Sequence, residues 1–435
     1  MTLKNKHIII LGAGRSGRAA AALALREGAA VSVHDASAEI TGLSDEIAVV
    51  PNAAVATGEK SECDILVISP GIDGETDFVR AYAKNAGEVI GEIELAARYY
   101  HGRIVAITGT NGKTTTTELV QRVLSHSGMT CLACGNYGVP FAEVVMLDDA
   151  PASVALELSS FQLETISTLH PNVVIWLNFS ADHMDRYPTL EAYKNAKLRV
   201  FENLTAENEI VVRAGEDIGS QKAISTTFST EAAADYQLDG QWITHAGEKV
   251  LDLSETGLRG LHNAENAMAA YAACVSLGVD AAVATEALYK FSPPLHRCEL
   301  VCTLDGVEYI NDSKATNLHA LDSALRSQGR PIVLIAGGKQ KGLDYRELLP
   351  RLQQTTKAII VFGEIAKQLA ETFSPLTAQV LTQEVHTLEE AVAEARKLAK
   401  SGDTILFSPG TSSFDMFSGY EQRGDYFRRI VKDQK

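Results

Sequence analysis

The stretch Ile104-Val-Ala-Ile-Thr-Gly-Thr-Asn-Gly-Lys-Thr-Thr-Thr-Thr117 decides the fold prediction for this chain. Its first four residues are apolar and predict a buried strand, a glycine-containing turn follows, and Lys113 with the threonines opens a helix. In such a loop the backbone N–H groups and the helix N-terminus point at an anion, the lysine adds positive charge, and a threonine hydroxyl can bind Mg²⁺. The stretch therefore predicts a phosphate-binding loop, although Ile107 stands where the usual pattern has glycine. The alternative is a structural glycine turn with a solvated lysine.

Length and composition limit the classes of protein to which this chain can belong. Its 435 residues predict about three domains of roughly 150 residues each, and 46% hydrophobic residues are enough for a sizeable core. A net charge of −16 argues against binding to nucleic acid or to anionic membranes. No apolar run approaches the roughly 20 residues that span a bilayer, and the polar N-terminus is unlike a signal peptide. We expect a cytoplasmic monomer that does not insert into membranes.

The six cysteines are scattered along the chain. Cys131 and Cys134 form a single Cys-x-x-Cys pair without a second pair at zinc spacing. Reduced thiols are therefore favoured over a metal or redox site.

The N-terminal segment carries a second glycine-containing turn. A strand over residues 7–11 leads into Gly12-Ala-Gly14-Arg-Ser-Gly17 and an alanine-rich helix, and a second strand ends at Asp35, 21 residues after Gly14. This pattern is similar to the dinucleotide-binding fingerprint, but Gly17 comes one residue early. A ligand with a diphosphate group other than NAD fits as well, and a turn needed only for packing is the alternative.

Polar residues follow the predicted strands of the central segment. Glu157 ends one strand and is a candidate Mg²⁺ ligand, because Mg²⁺ prefers oxygen ligands and substrate phosphates. His183 follows the next strand among carboxylates, and this placement favours a site over a structural role. Lys194 and Lys197 lie on a predicted helix, where each would ordinarily be solvated. Two later asparagines, Asn263 and Asn266, share one helix face, with N-capping as the alternative role.

The third segment repeats the arrangement of strand, polar loop and helix. Its predicted strands end at Asn311-Asp312-Ser-Lys314, at Gly337-Gly-Lys-Gln-Lys341 and at the run that begins with Ser408. Pro293 and Pro294 precede this segment as a rigid connector. Three such segments predict α/β domains whose loops converge.

Taken in order, these motifs resemble the Mur ligases of peptidoglycan synthesis over essentially the whole chain. The residues that carry the resemblance are Gly109-Thr-Asn-Gly-Lys-Thr, Glu157-Leu-Ser-Ser-Phe-Gln-Leu-Glu, Asp182-His-Met-Asp-Arg-Tyr, Asn311-Asp-Ser-Lys-Ala-Thr-Asn and Ser413-Phe-Asp with Tyr420-Glu-Gln-Arg-Gly. Each motif alone is modest, whereas the ordered set is highly specific.

The resemblance implies three α/β domains. They are a Rossmann-like domain over residues 1–97 that binds the UDP substrate, a central P-loop ATPase-like domain over residues 98–296, and a Rossmann-like domain over residues 297–435 that binds D-glutamate. The implied reaction joins D-glutamate to UDP-N-acetylmuramoyl-L-alanine through an acyl phosphate, with ATP, two Mg²⁺ ions and a carbamylated Lys197.

The resemblance also assigns site residues. Those implied for catalysis are Lys113, His183 and Lys197, and those for metal are Thr114, Glu157, His183 and Lys197. Those implied for ATP are Gly109, Thr110, Asn111, Gly112, Lys113, Thr114, Thr115, Asn263, Asn266, Arg297 and Asp312. Those implied for the UDP substrate are Gly14, Arg15, Ser16, Asp35, Ser69, Gly71, Asn136, Ser159 and Gln162. Those implied for D-glutamate are Lys314, Thr316, Lys341, Ser413 and Tyr420.

Other functions fit the sequence less well. A sister ligase that adds another amino acid is the nearest alternative, and folylpolyglutamate synthase would not need the N-terminal segment. A nucleotide-binding protein without activity would not need Lys113, Glu157, His183 and Lys197 together. A dehydrogenase would need an acid or base beside a nicotinamide, and none is evident.

Overall fold

The computed structural model describes residues 2–182, 186–291, 295–376 and 380–433. Within these residues the strands form three sheets, and the chain divides into two compact units, Met1–Phe291 and Ser292–Lys435. His183 and the predicted connector residues Pro293 and Pro294 lie outside the described residues. No helix in the described ranges is long and apolar enough to cross a membrane. The predicted α/β fold with three sheet-based segments is confirmed.

A parallel sheet forms the N-terminal part of the first unit. Its elements are β1 (His7–Leu11), α1 (Arg15–Arg26), β2 (Ala30–His34), β3 (Ala48–Val50), α2 (Val55–Gly58), β4 (Cys63–Ile68), α3 (Asp77–Ala83), β5 (Ala86–Gly91) and α4 (Glu92–Ala97). The order β3-β2-β1-β4-β5 reverses direction beside β1, and a crevice for ligands forms at such a point beyond the strand ends. The loops over residues 12–17 and 69–72 lie at this end.

The central part of the first unit contains a longer sheet. Its elements are β6 (Arg103–Thr108), α5 (Lys113–His126), β7 (Cys131–Gly135), α6 (Phe141–Val145), β8 (Ser153–Glu157), α7 (Ser160–Leu163), β9 (Val173–Trp176), α8 (Leu190–Leu198), a 3₁₀ turn (Arg199–Phe201), β10 (Glu209–Arg213), β11 (Ile224–Ser229), β12 (Tyr236–Asp239), β13 (Trp242–His245), β14 (Glu248–Asp252), a 3₁₀ turn (Leu253–Glu255), α9 (Leu261–Ser276) and α10 (Ala281–Tyr289).

The strand order of this sheet places the predicted phosphate loop between two other strand ends. The order is β14-β13-β12-β11-β10-β9-β6-β8-β7, with β12 to β14 paired antiparallel. Parallel pairing sets Ile107 beside Glu157 of β8 on one side and Ile175 of β9 on the other. The polar residues that follow β6, β8 and β9 therefore meet at one edge.

The second unit is built on a third sheet. Its elements are β15 (Glu299–Leu304), β16 (Val307–Asn311), α11 (Leu318–Arg326), β17 (Ile332–Gly337), a 3₁₀ turn (Tyr345–Leu348), α12 (Leu349–Thr355), β18 (Thr356–Phe362), α13 (Ala366–Phe373), a 3₁₀ turn (Ser374–Leu376), β19 (Leu381–Glu384), α14 (Leu388–Leu398), β20 (Thr404–Phe407) and α15 (Tyr420–Lys432). The order is β15-β16-β20-β17-β18-β19. Among the described strands of this third sheet, only β15 is antiparallel to its neighbour.

The helix after the phosphate loop is held by its apolar face. Leu119, Val120 and Val123 of α5 recur at helical spacing, are 0% exposed, and pack in one core with the alanine-rich α9. Burial of each such side chain contributes about 1.5–3 kcal/mol. Because α5 is fixed along its length, its first turn presents the loop in one position.

Candidate active site

Asn178 ties the loop over residues 109–112 to the end of β9. Asn178, just beyond β9, accepts from Thr110 N through its carbonyl at 2.9 Å and from Asn111 N through Oδ1 at 2.9 Å. Its Nδ2 donates back to Asn111 O at 3.1 Å. Three hydrogen bonds therefore join the loop to the neighbouring strand end.

Two glycines of the loop lie where an added side chain would meet close neighbours. Gly112 caps α5 at φ +85°, and a Cβ there would lie 2.3 Å from Asn266 Oδ1. A Cβ on Gly109 would lie 2.9 Å from Leu177 Cβ. Ile107, which departs from the usual pattern, is a fully buried residue of β6, so the loop is shorter than the usual one rather than defective.

Two lysines converge on the same loop carbonyl. Lys113 Nζ donates to Gly109 O at 2.9 Å and to Thr110 O at 2.8 Å, and Lys197 Nζ donates to Gly109 O at 3.0 Å. Lys197 is only 2% exposed, although the sequence pattern alone indicated a solvated residue. Burial, and then the nearby Lys113, lower the pKa of Lys197 well below its ordinary value. Burial also lowers the pKa of Lys113, against the opposing effect of Glu157.

Glu157 presents one carboxylate oxygen that is buried and unused. The residue is 2% exposed, its Oε1 accepts from Asn136 Nδ2 at 2.8 Å, and its Oε2 has no hydrogen-bond partner among the described residues. A buried carboxylate oxygen without a partner is costly unless a cation or donor reaches it. The donor chemistry and the bare oxygen therefore fit Mg²⁺ beside Thr114 at the start of α5.

The described residues do not by themselves build a metal cage. In residues 2–182, 186–291, 295–376 and 380–433, no three histidine, cysteine, aspartate or glutamate side chains are grouped to hold a metal. Thr114 and Lys197 are not among those residue types, and His183 lies outside the described ranges. Phosphate oxygens would have to supply further ligands here.

Ser159 and Gln162 bond to each other at the start of α7. Ser159 N donates to Gln162 Oε1 at 3.0 Å, and Gln162 N donates to Ser159 Oγ at 3.3 Å, which is a capping box. Their side chains have a structural role besides the one that the resemblance implies. Asn136 is tied more directly to the site through Glu157.

The turn after β1 is organised by Asp35 and by the close approach of Gly17. Asp35 Oδ2 accepts from Ala13 N at 2.7 Å, and its Oδ1 accepts from Ser37 N at 2.8 Å. Burial opposes the charged form, but these bonds hold the pKa of Asp35 below its ordinary value. A Cβ on Gly17 would lie 1.9 Å from Gly12 O, so this glycine serves strand–helix packing.

The remaining residues predicted for the UDP substrate lie around the same turn. Ser69 Oγ donates to Gly12 O at 3.3 Å, whereas Gly14 and Gly71 are exposed and Ser16 is half-buried. Arg15 reaches the central segment, where its Nη1 donates to Gly138 O at 2.9 Å.

The two predicted adenine-side asparagines touch each other. Asn266 Nδ2 donates to Asn263 Oδ1 at 3.2 Å, and Asn266 Oδ1 accepts from Thr116 Oγ1 at 3.2 Å. The N-cap of α9 is Gly260, so the capping alternative is wrong for both asparagines.

In the second unit, Asp312 lies buried behind the end of β16. Its Oδ2 accepts from Ser408 Oγ at 2.7 Å and its Oδ1 from Cys298 N at 3.1 Å, and burial raises its pKa to about 6. Arg297 Nε is buried and has no hydrogen-bond partner in the part of the chain that the structure describes.

The residues predicted for D-glutamate lie on three neighbouring strand-end loops and on α15. Lys314 Nζ lies 5.8 Å from the centre of the Tyr420 ring, and Lys341 Nζ donates to Thr316 O at 3.2 Å. Ser413 is 2% exposed. The structure thus brings these five residues onto one end of the third sheet.

Arg423 is a residue whose role the sequence analysis did not find. It is 0% exposed and donates from Nη2 to Ser313 O at 2.9 Å and to Thr411 O at 3.0 Å, which ties two of these loops together. Burial lowers its pKa to about 10. The contacts of Asn178 with Thr110 and Asn111 are likewise long-range, so no local motif indicates its role.

Comparison with known proteins finds family models and named relatives that match this chain. The family model "Mur ligase middle domain" matches residues 107–274, and "Mur ligase, glutamate ligase domain" matches residues 296–410. A protein of Geobacter metallireducens named "UDP-N-acetylmuramoylalanine--D-glutamate ligase" is 38% identical, covering 99% of this chain and 98% of its own. A protein of Alkaliphilus metalliredigens with the same name is 36% identical, covering 99% of both chains.

Solved structures with low sequence identity share the fold. The MurF ligase of Thermotoga maritima has a TM-score of 0.59 at 16% identity and covers 100% of this chain and 96% of its own. A pseudomurein peptide ligase type C of Methanothermus fervidus has a TM-score of 0.57 at 18% identity, covering 99% and 100%.

Proposed function

This chain belongs to the Mur ligase family, and from that premise we propose that it joins D-glutamate to UDP-N-acetylmuramoyl-L-alanine in an ATP-dependent reaction. Relatives that carry the name of this ligase are 36% and 38% identical over nearly their full length, which supports the choice of amino acid and acceptor. The enzyme is thus an amide-forming ligase of peptidoglycan precursor synthesis, and we place it in the cytoplasm as a monomer.

The observation that carries the proposal is the group of residues around Gly109. Lys113 and Lys197 both donate to its carbonyl oxygen. Glu157, whose Oε2 has no partner among the described residues, is the last residue of the adjacent strand β8. Lysine side chains and a carboxylate that can bind Mg²⁺ beside a phosphate loop suit the transfer of a phosphoryl group to the carboxylate of a substrate.

The chemistry then needs positioning and charge more than a protein nucleophile. An oxygen of the alanyl carboxylate attacks the γ-phosphorus, the bond to the ADP oxygen breaks, and an acyl phosphate forms. The amine of D-glutamate next attacks the acyl carbon, phosphate leaves with the C–O bond electrons, and the amine loses a proton. Lys113 leaves its loop carbonyls to hold the β- and γ-phosphates, and the loop N–H groups orient them.

We assign the metal ligands as Thr114 and Glu157 for one Mg²⁺ and His183 with carbamylated Lys197 for the second. The bare oxygen of Glu157 supports the first assignment. When bound, Mg²⁺ neutralises charge on the phosphates and on the oxygens that attack and leave.

The lowered pKa of Lys197 supports its carbamylation. A neutral amine has the lone pair that attacks the carbon of CO₂, so that an N–C bond forms and one proton leaves. The product is a carbamate whose anionic oxygens suit Mg²⁺ better than the nitrogen of a neutral amine does, whereas an ammonium group has no electron pair to donate.

The three segments divide the substrates between them. Residues 1–97 take the UDP group through Gly14, Arg15, Ser16 and Asp35, and residues 98–296 take ATP. Residues 297–435 take D-glutamate through Lys314, Thr316, Lys341, Ser413 and Tyr420. Asn263 and Asn266 take the adenine side, while Arg297 and Asp312 take phosphate and ribose.

A panel of amino acids tests the proposal. Phosphate release is expected only when UDP-N-acetylmuramoyl-L-alanine, D-glutamate and Mg²⁺ are present together with ATP. L-lysine and meso-diaminopimelate serve as matched alternatives, because sister ligases would use other amino acids. Release with either of them and none with D-glutamate would sink the assignment.

A further inference from the structure

A buried glutamate of α4 holds a turn in the central segment. Glu94 is 0% exposed, and its carboxylate accepts from the backbone N–H groups of Ser167 at 2.9 Å, Thr168 at 2.9 Å and Leu169 at 3.1 Å. Thr168 Oγ1 also donates to it, at 2.6 Å. Successive N–H groups that face one anion form a binding nest, and here the anion belongs to the protein itself.

The other side of the same turn is held from the end of α8. Arg199 Nη2 donates to Ile166 O at 2.7 Å, and its Nη1 donates to Glu164 O. Asn203 Nδ2 donates to the carbonyls of Ser167 and Leu169 at 2.9 Å each. The turn over residues 164–169 therefore joins α4 to the stretch that directly follows Lys197.

The chemistry of this contact requires a carboxylate. An ionised carboxylate only accepts hydrogen bonds, and all the groups from the turn are donors, whereas an amide would set its own N–H₂ against them. Burial disfavours the charge of Glu94, but the bonds from Thr168, Ser167 and Arg98 hold its pKa below the ordinary value. Arg98 Nε, at 2.9 Å, balances the charge.

We propose that Glu94 is a positioning residue for the acyl-phosphate step, which fixes the turn over residues 164–169 and with it the substrate side of the site. Helix α7, with Ser159 at its cap, runs directly into this turn, so a loosened turn shifts the groups proposed to face the muramoyl-alanyl moiety. This inference rests on the proposed function for the identity of the substrate, whereas the hydrogen bonds between Glu94 and the turn do not depend on that function.

The phosphate loop is anchored independently of Glu94. Asn178 holds Thr110 and Asn111, and α5 is fixed by its own core contacts. Loss of the Glu94 carboxylate is therefore expected to leave nucleotide binding unchanged. It is expected to disturb the position of the substrate's alanyl carboxylate, which attacks the γ-phosphate. A merely structural defect would weaken both.

The test compares Glu94→Gln with Glu88→Gln in the full chain. Glu88 binds the same arginine, with 2.9 Å between its Oε2 and Arg98 Nη1, and the hydrogen bonds described for its side chain go to that arginine rather than to the turn. For Glu94→Gln we expect kcat/KM for UDP-N-acetylmuramoyl-L-alanine to fall about tenfold or more, since small misplacements of reacting groups cost that much. The dissociation constant of ADP should stay within about twofold, and amide exchange at residues 167–169 should quicken about tenfold.

Thr168→Val provides a second variant in case Glu94→Gln does not fold. It removes only the 2.6 Å bond from Oγ1, so the same pattern is expected with a fall of about threefold. A kcat/KM equal to that of Glu88→Gln, or a parallel loss of ADP binding, overturns the proposal. A wild-type enzyme inactive on this substrate would instead overturn the proposed function, while amide exchange would still decide whether Glu94 holds the turn.

Discussion

Lys197 shows how one residue changes meaning between sequence and fold. On the predicted helix it looked like Lys194, three residues earlier in the chain. In the fold Lys197 is 2% exposed against Gly109, whereas Lys194 reaches outward to Asp217 at 2.8 Å. The periodicity of a helix shows which residues share a face, but not what packs over that face.

These surroundings predict different effects for the two lysines. Lys197→Ala is expected to lose about 100-fold or more in phosphate release, because a charged ligand at the transferring phosphate is removed. Part of the activity should return with added short-chain acid, which replaces the carbamate oxygens. Lys194→Ala should stay within about twofold, and full activity of Lys197→Ala in plain buffer would remove the carbamate from the mechanism.

Gly112 gives a second prediction at the scale of a residue. Gly112→Ala places a Cβ 2.3 Å from Asn266 Oδ1 and should weaken ADP binding about tenfold or more, as measured by calorimetry. Gly128→Ala is the matched control, because its φ is also positive, at +89°, but the space around it is open. The control is expected to cost about 1 kcal/mol of stability without a change in affinity. Equal affinities in the two variants would contradict this account.

Helix α4 shows what local patterns leave out at the scale of an element. Helix α4 covers only the six residues Glu92–Ala97. Its two carboxylates nevertheless serve distant backbone, since Glu94 binds residues 73 to 75 positions ahead and Glu92 accepts from Ala142 N at 2.6 Å. Such partners depend on how sheets pack, which no window of sequence contains.

Glu92 gives a pH prediction for this element. Burial raises the pKa of Glu92 from 4.5 to about 7, so this carboxyl loses its proton at a lower pH in the unfolded chain than in the folded protein. Between pH 4.5 and about 7 the folded state therefore holds more protons than the unfolded state, and the free energy of unfolding falls as the pH rises. Glu92→Gln removes this dependence, so its free energy of unfolding should gain on that of the wild type by at most about 3 kcal/mol from pH 5 to pH 8. Thermal unfolding of both proteins across this pH range measures the difference.

An exposed carboxylate provides the control for this measurement. The side chain of Glu75 is 85% exposed, so Glu75→Gln should follow the wild type at every pH. A constant difference between Glu92→Gln and the wild type from pH 5 to pH 8 would contradict the burial argument.

At the scale of the whole molecule, apolar strands that end in polar residues were sufficient to predict three α/β segments. β1 has the bounds that its sequence predicted, because a parallel strand covered on both faces is a nearly continuous apolar run. Hairpin strands β12 to β14 were not predicted, since their alternation is short and mixed with polar residues. The candidate site was predictable where motifs are local, as at Gly109 to Thr114, and not where contacts such as those of Asn178 and Arg423 are long-range.

The shared carbonyl of Gly109 has a consequence for the electrostatics of the loop. Two ammonium groups on one acceptor repel each other, and burial adds to the cost of charging them. Lys113 and Lys197 are therefore expected to titrate as a coupled pair. Loss of a proton from one amine relieves the repulsion on the other, so the protonation of each lysine depends on that of its neighbour.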